Sequence, residues 1–193
     1  MKQRIARFIS IAGHPFLTIQ LYVLIVMFAY EDLKKAILNS FLIIGCVFIP
    51  LIIWLYLRYK KGFITNFDVS DRKQRESIFV FIIPILSLVT FIVYKTDQSR
   101  NLYLSLVFAI VLLLISQAVN FLIKSSLHVS LNIYLSFLVM TVNYKLSIIL
   151  LLFTILIGWS RIIIGRHTLK EVLVGATIGI SLGLTMAHVE GYL

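Results

Sequence analysis

The chain has 193 residues, 60% of them hydrophobic, and a formal net charge of +10. Its mean hydropathy of +1.00 excludes an ordinary soluble domain, where about 45–50% apolar residues is usual, and places residues 1–193 in one integral-membrane domain. The basic excess suits anionic lipid headgroups or a phosphorylated substrate and not nucleic acid, because the cations sit in short loops rather than on a polar domain.

Seven apolar segments follow one another. The first, Ile9–Tyr30, comes after Lys2, Arg4 and Arg7 and ends at Glu31 and Asp32 with no small-residue cleavage site. It therefore reads as a retained helix and not as a signal peptide. Ala36–Leu57 contains Pro50 and the only cysteine, Cys46, which has no partner for an intramolecular disulfide and is expected to pack as a small apolar group. Ile78–Tyr94 contains Pro84; both prolines are expected to kink their helices. Leu102–Ile123 is followed by the shorter Val129–Val142, which is expected to extend back through Ser125–His128 to complete a span. Leu146–Ile164 and Val172–His188 close the series. A ten-residue alternating pattern is missing, so the crossings are helices and not barrel strands. The expected fold is all-α, a polytopic transmembrane bundle of about seven helices.

Alternating crossings put the N-terminus on one side with the loops after the second, fourth and sixth helices. Those loops contain Lys60–Glu76, the Lys124–His128 region and Gly165–Lys170. The polar chemistry is expected to converge on that face. In the last segment Gly175, Gly179 and Gly183 recur every four residues, the spacing of a close-packing seam between helices.

The most informative polar run is Ser160–Glu171, S-R-I-I-I-G-R-H-T-L-K-E, at the junction of two apolar segments. A charge near the centre of a spanning helix costs about 2.5–3.5 kcal/mol, so such a cluster reads as a functional site. His167 and Glu171 are four apart and stack on one helix face, where the carboxylate can hold Nδ1–H and leave Nε2 free and basic. Arg161 and Arg166 are close in sequence and suit phosphate oxygens. His128 follows Lys124, Ser125 and Ser126 on the same face, and Asp68–Glu76 adds Arg72, Lys73 and Arg75. The ensemble describes a cationic pocket with two histidines, one able to attack phosphorus and one able to protonate a leaving oxygen. His14 and His188 read as capping or interface residues, Lys124 and Lys170 as interfacial anchors, and Arg166 as either a headgroup anchor or a phosphate ligand.

On these residues the chain resembles the type 2 phosphatidic acid phosphatase superfamily. Its third signature, S-R-x5-H-x3-D, is matched by Ser160, Arg161 and His167, with Glu171 for Asp. The second, P-S-G-H, is similar to Ser125-Ser126-Leu127-His128, with Ser and Leu replacing Pro and Gly. Of the first, K-x6-R-P, Arg75 is kept, while Asp68 and Glu76 replace Lys and Pro. The resemblance spans roughly Asp68 to Gly175, in the order of the family. It implies a six-helix core and hydrolysis of a lipid phosphomonoester or diphosphate, phosphatidate-type or polyprenyl, with no metal or cofactor. By that resemblance His167 is the nucleophile, His128 the acid and then base, and Glu171 the orienting carboxylate. Arg161, Arg75, Arg72, Ser126 and Ser160 would hold the phosphate. The alternative is a non-catalytic transporter or anionic-lipid-binding protein with a degenerate site.

The resemblance also implies a multi-pass protein of a bacterial inner membrane. Thirteen of the eighteen basic residues lie on the motif-bearing side, which by the positive-inside rule would be cytoplasmic. Without the seven that chemistry could retain, six face five, and charge alone does not choose the side. The sequence specifies no oligomeric state.

Overall fold

A computed structural model describes every residue except Phe67, Ser70, Asp97 and Leu193. Among the described residues the chain forms helices and no strands. They are α1 (Lys2–Ala12), α2 (Pro15–Tyr30), α3 (Leu33–Lys60), α4 (Arg72–Lys95), α5 (Arg100–Asn120), α6 (Leu127–Met140), α7 (Tyr144–Ile163) and α8 (Leu169–Val189). Side chains cap most of their N-termini, satisfying N–H groups that the first turn leaves unpaired. Asp32, Asp71, Ser99, Asn143 and Thr168 each accept from the backbone N–H three residues on.

Five helices, α3, α4, α5, α7 and α8, are long and apolar enough to cross a membrane, and α1 with α2 makes a sixth if the bent pair counts as one span. Large apolar residues such as Phe41, Val80, Leu88, Ile149 and Ile155 remain exposed on the outer faces. That pattern belongs to a multi-pass membrane protein, whose outer surface is solvated by lipid tails.

Two segments differ from the sequence expectation. The first, Ile9–Tyr30, is not one helix: α1 and α2 meet at a 46° bend. Pro15 causes the break, because it offers no N–H and drives the preceding His14 into extended backbone (φ −69°, ψ 132°). Gly13 fits there because a Cβ would collide with Ile157 of α7, and its carbonyl accepts from Asn132 Nδ2 of α6 at 3.1 Å.

The fifth segment is not lengthened into a full span. Ser126 is the N-cap of α6, and the helix covers only 14 residues, about 21 Å at 1.5 Å per residue. Ten of the 14 are buried, so α6 is the axis of the bundle, wrapped mainly by α8, α7 and α2. Its polar side chains bond internally: Ser136 donates to the Asn132 carbonyl at 2.7 Å, and Tyr134 donates to the Ser105 carbonyl of α5 at 2.6 Å.

The glycine seam holds α8 against α6. A Cβ at Gly175 would stand 2.6 Å from the Ser126 carbonyl oxygen, and one at Gly179 would stand 2.6 Å from that of Ser130. Pro50 follows a π-helical turn, Ile44–Phe48, whose wider register absorbs the missing hydrogen bond; Pro84 lies within an unbroken α4. Cys46 is exposed on the outer side of α3, so it does not pack in the core.

Candidate functional site

The end of α7 explains the spacing from Arg161 to His167. Gly165 adopts φ +70°, the left-handed conformation that glycine takes without a Cβ penalty. The chain turns back there, and the N–H groups of Arg166 and His167 both donate to the Arg161 carbonyl, at 3.0 and 3.2 Å. The turn carries His167 back against the end of α7. Thr168 then starts α8 with a capping box: its hydroxyl accepts from Glu171 N–H at 3.3 Å, and Glu171 Oε2 accepts from Thr168 N–H at 3.0 Å.

The same Oε2 lies 3.0 Å from His167 Nδ1. With the carboxylate accepting, Nδ1 carries the proton and Nε2 has its lone pair. His167 Nε2 is buried and meets no hydrogen-bond partner. The extra methylene of Glu over Asp is accommodated because the capping box folds the side chain back over the helix start.

The expected convergence of loops is observed. Arg75 Nη1 of α4 donates to the Ser125 carbonyl at 2.5 Å, Ser126 N–H donates to the Glu171 carbonyl at 3.1 Å, and Lys124 Nζ donates to the Arg166 carbonyl at 2.8 Å. Arg161 Nη1 donates to Ser10 Oγ of α1 at 2.9 Å, and Nη2 reaches Asp68 Oδ2 at 2.5 Å. Arg75 and Arg161 are only 4% and 2% exposed. Buried guanidinium groups cannot lose their charge, so the pocket presents fixed cations to any anion that enters.

Burial, reinforced by Arg75, Lys124 and Arg161, pushes the His167 pKa down to about 2 from an ordinary 6.5, so its ring is neutral at physiological pH. Lys124 is also lowered, by burial first, against the pull of Glu171.

The resembling motifs thus meet at one place, with His167, Glu171, His128, Arg161, Arg75 and Ser126 gathered around it. The Ser126 hydroxyl and His128 Nε2 are buried without partners. Leu127, where the family has Gly, is the first residue of α6 in helical conformation. Two expected phosphate ligands do not join. Arg72 is exposed and donates to the Phe121 carbonyl just past α5, because that helix end offers unpaired acceptors nearby. Ser160 donates to the Ile157 carbonyl of its own helix at 2.7 Å, since at that position its hydroxyl lies over the preceding turn.

Three residues enter that the sequence reading placed elsewhere. Lys124, expected as an interfacial anchor, stands 3.9 Å from Glu171 Oε2. His14 does cap α2, its Nδ1 accepting from Phe16 N–H at 3.2 Å, but its ring also packs edge-on against His128 with centroids 4.8 Å apart. The signal was its place before Pro15: a break there sets His14 on the motif-bearing face. Asp68, noted only as a departure from the first motif, lies at the centre. Its carboxylate faces Arg161 at 2.5 Å, His128 Nε2 at 3.5 Å, Arg166 Nε at 3.9 Å and His14 Nε2 at 4.0 Å. The next residue, Val69, is buried and has φ +40°, a strained value for a β-branched residue.

His14, Asp68 and His128 have the donor types of a metal triad, with ligand atoms within 4.8 Å of one another. The hydrogen bonding argues against that use. His14 Nδ1 is already an acceptor, so Nε2 of the neutral ring holds the proton and has no lone pair to offer. Arg161 also occupies one Asp68 oxygen.

From this polar end an apolar cavity of about 220 Å³ runs into the bundle between α2, α3, α4, α5 and α6. His14, Asp68, Arg75 and His128 are its polar lining residues at this end, and Tyr22, Met27, Leu55, Leu86, Leu113 and Leu138 are among the others.

Comparison of the chain with models of protein families, with curated proteins and with solved structures returned no match, so the reading of the site rests on its own residues.

Proposed function

We propose that this protein is an integral-membrane lipid phosphatase of the type 2 phosphatidic acid phosphatase kind, cleaving a lipid phosphomonoester or diphosphate through a phosphohistidine. One observation carries the reading: His167 is hydrogen-bonded at Nδ1 by Glu171 while its Nε2 is buried and unpartnered beside fixed cations. The apolar cavity opening at the same place supports a ligand with a long hydrocarbon tail.

In this mechanism the His167 Nε2 lone pair attacks phosphorus and forms a P–N bond. The P–O bond to the lipid breaks, and the leaving oxygen takes a proton from His128. Glu171 steadies the positive charge that develops on the His167 ring. Arg75 and Arg161 balance the negative charge of the phosphoryl oxygens. Water then attacks phosphorus, His128 accepts its proton, the P–N bond breaks, and inorganic phosphate leaves. The membrane proposed for it is a bacterial inner membrane.

The experiment is phosphate release by the purified protein from phosphatidate, lysophosphatidate, phosphatidylglycerophosphate and undecaprenyl diphosphate. Turnover should persist in EDTA, be blocked by vanadate and vanish in His167→Ala. Full activity of that variant would sink the assigned nucleophile. Lipid binding without turnover in the wild type would favour a transporter or lipid-binding protein instead.

A further inference from the structure

Resting on that reading, we infer that Asp68 is a resident anion in the phosphate seat, and that a phosphate group binds productively only by displacing its carboxylate. Four groups suited to holding phosphoryl oxygens, Arg161, Arg166, His128 and His14, all lie within 4.0 Å of the two Asp68 oxygens. The carboxylate presents two acceptor atoms to them, as two edges of a phosphate would.

The fit is incomplete. Oδ2 is held by Arg161, but Oδ1 is buried with no hydrogen bond, and so is His128 Nε2 facing it at 3.5 Å. A larger tetrahedral anion has oxygens to spare for both Arg161 and His128. A carboxylate and a phosphate dianion cannot share the space, because like charges a few ångströms apart in a poorly hydrated pocket repel strongly.

The backbone supplies a second, independent observation. Val69, immediately after Asp68, is held at φ +40° with its side chain buried. Strain of this kind persists only where surrounding contacts impose it, and it collects at elements with two arrangements. Withdrawal of Asp68 would let that residue relax.

Asp68 is thereby a specificity-determining residue. It weakens the binding of inorganic anions, and favours ligands whose tail in the cavity adds binding energy.

The test uses the full-length protein in detergent micelles, with orthophosphate and orthovanadate as probes and calorimetric titration as readout. Asp68→Asn should bind both at least about tenfold tighter than the wild type, a difference set by removing one competing charge. Asp68→Ser, which removes the carboxylate without offering an amide, should do the same. Unchanged or weaker binding by both variants overturns the inference, and means that Asp68 serves to hold Arg161 and His128 in place. So does a failure of both variants to fold, read from their thermal melts. If wild type and variants alike bind neither anion, the phosphatase reading falls with it; wild-type binding that the substitutions do not improve removes only the role of Asp68.

Discussion

Replacing Glu171 by Gln tests the proposed site most directly, because one oxygen atom holds both the proposed nucleophile and the start of α8. Glu171 Oε2 lies 3.0 Å from His167 Nδ1 and accepts the Thr168 N–H at 3.0 Å, with Lys124 Nζ at 3.9 Å. An amide oxygen in the place of Oε2 can keep both bonds, but only as a neutral acceptor that no longer balances the charge of Lys124 or of a cationic imidazole. A hydrogen bond to a charged group contributes about 1.5–3 kcal/mol against roughly 0.5–1.5 for a neutral one. The difference is largest when the imidazole becomes cationic on forming the P–N bond, so the activation barrier should rise by about 1–2 kcal/mol, roughly 5–30-fold in kcat. KM should change little, since Glu171 is not placed against the phosphate. The weakened capping box should cost about 0.5–1 kcal/mol of stability, visible as a small drop in Tm. Steady-state phosphate release from a lipid phosphate in mixed micelles, with a thermal melt of the same preparation, measures both. A Gln variant whose kcat stays within about threefold of the wild type would refute the argument that this carboxylate drives the nucleophile.

Three further outcomes follow from particular contacts. Arg72→Ala and Ser160→Ala should each leave kcat/KM within about twofold, because Arg72 is exposed and turned to the Phe121 carbonyl and the Ser160 hydroxyl is donated to the Ile157 carbonyl, whereas Arg161→Ala should lose activity by two orders of magnitude or more, on the order of one buried charged contact to phosphate; parallel kinetics on the three variants checks the contrast. Gly175→Ala places a Cβ 2.6 Å from the Ser126 carbonyl and should destabilise by about 1–3 kcal/mol, while Gly45→Ala meets only the Phe41 ring at 3.6 Å and should be neutral or stabilising; comparative melting curves decide it. His167 is held down to about 2 from an ordinary 6.5, so below pH 6.5 the unfolded chain takes up a proton that the folded one refuses. Stability should therefore fall as pH drops from 6.5 toward 2, by up to about 1.4 kcal/mol per pH unit from this group, and His167→Gln should flatten the profile in denaturant titrations at several pH values.

Much of this was legible in the chain itself. All seven apolar segments are helical, and the convergence of three loops on one face followed from counting crossings. The glycine spacing anticipated the α6–α8 seam, and the four-residue interval from His167 to Glu171 anticipated their hydrogen bond, because a helix start is local and its geometry is carried by adjacent residues. Local rules were also where the reading fell short. Pro15 breaks the first segment, a signal present in the sequence but outweighed there by continuous hydropathy. Arg72 and Ser160 matched motif positions by spacing, which says nothing about whether a nearer carbonyl will take the donor.

What the sequence alone determined is the class of protein, the helical elements and the His167–Glu171 pair, all set by periodicity, composition and short-range geometry. Only the tertiary structure decided that α6 is the buried axis instead of a full span, and that His14, Lys124 and Asp68 belong to the site. Those residues come from segments far apart in the chain, and their meeting depends on how the helices pack. The carboxylate among the arginines is the clearest case: along the sequence Asp68 is a motif departure, and in the folded bundle it lies within 4.0 Å of Arg161, Arg166, His128 and His14.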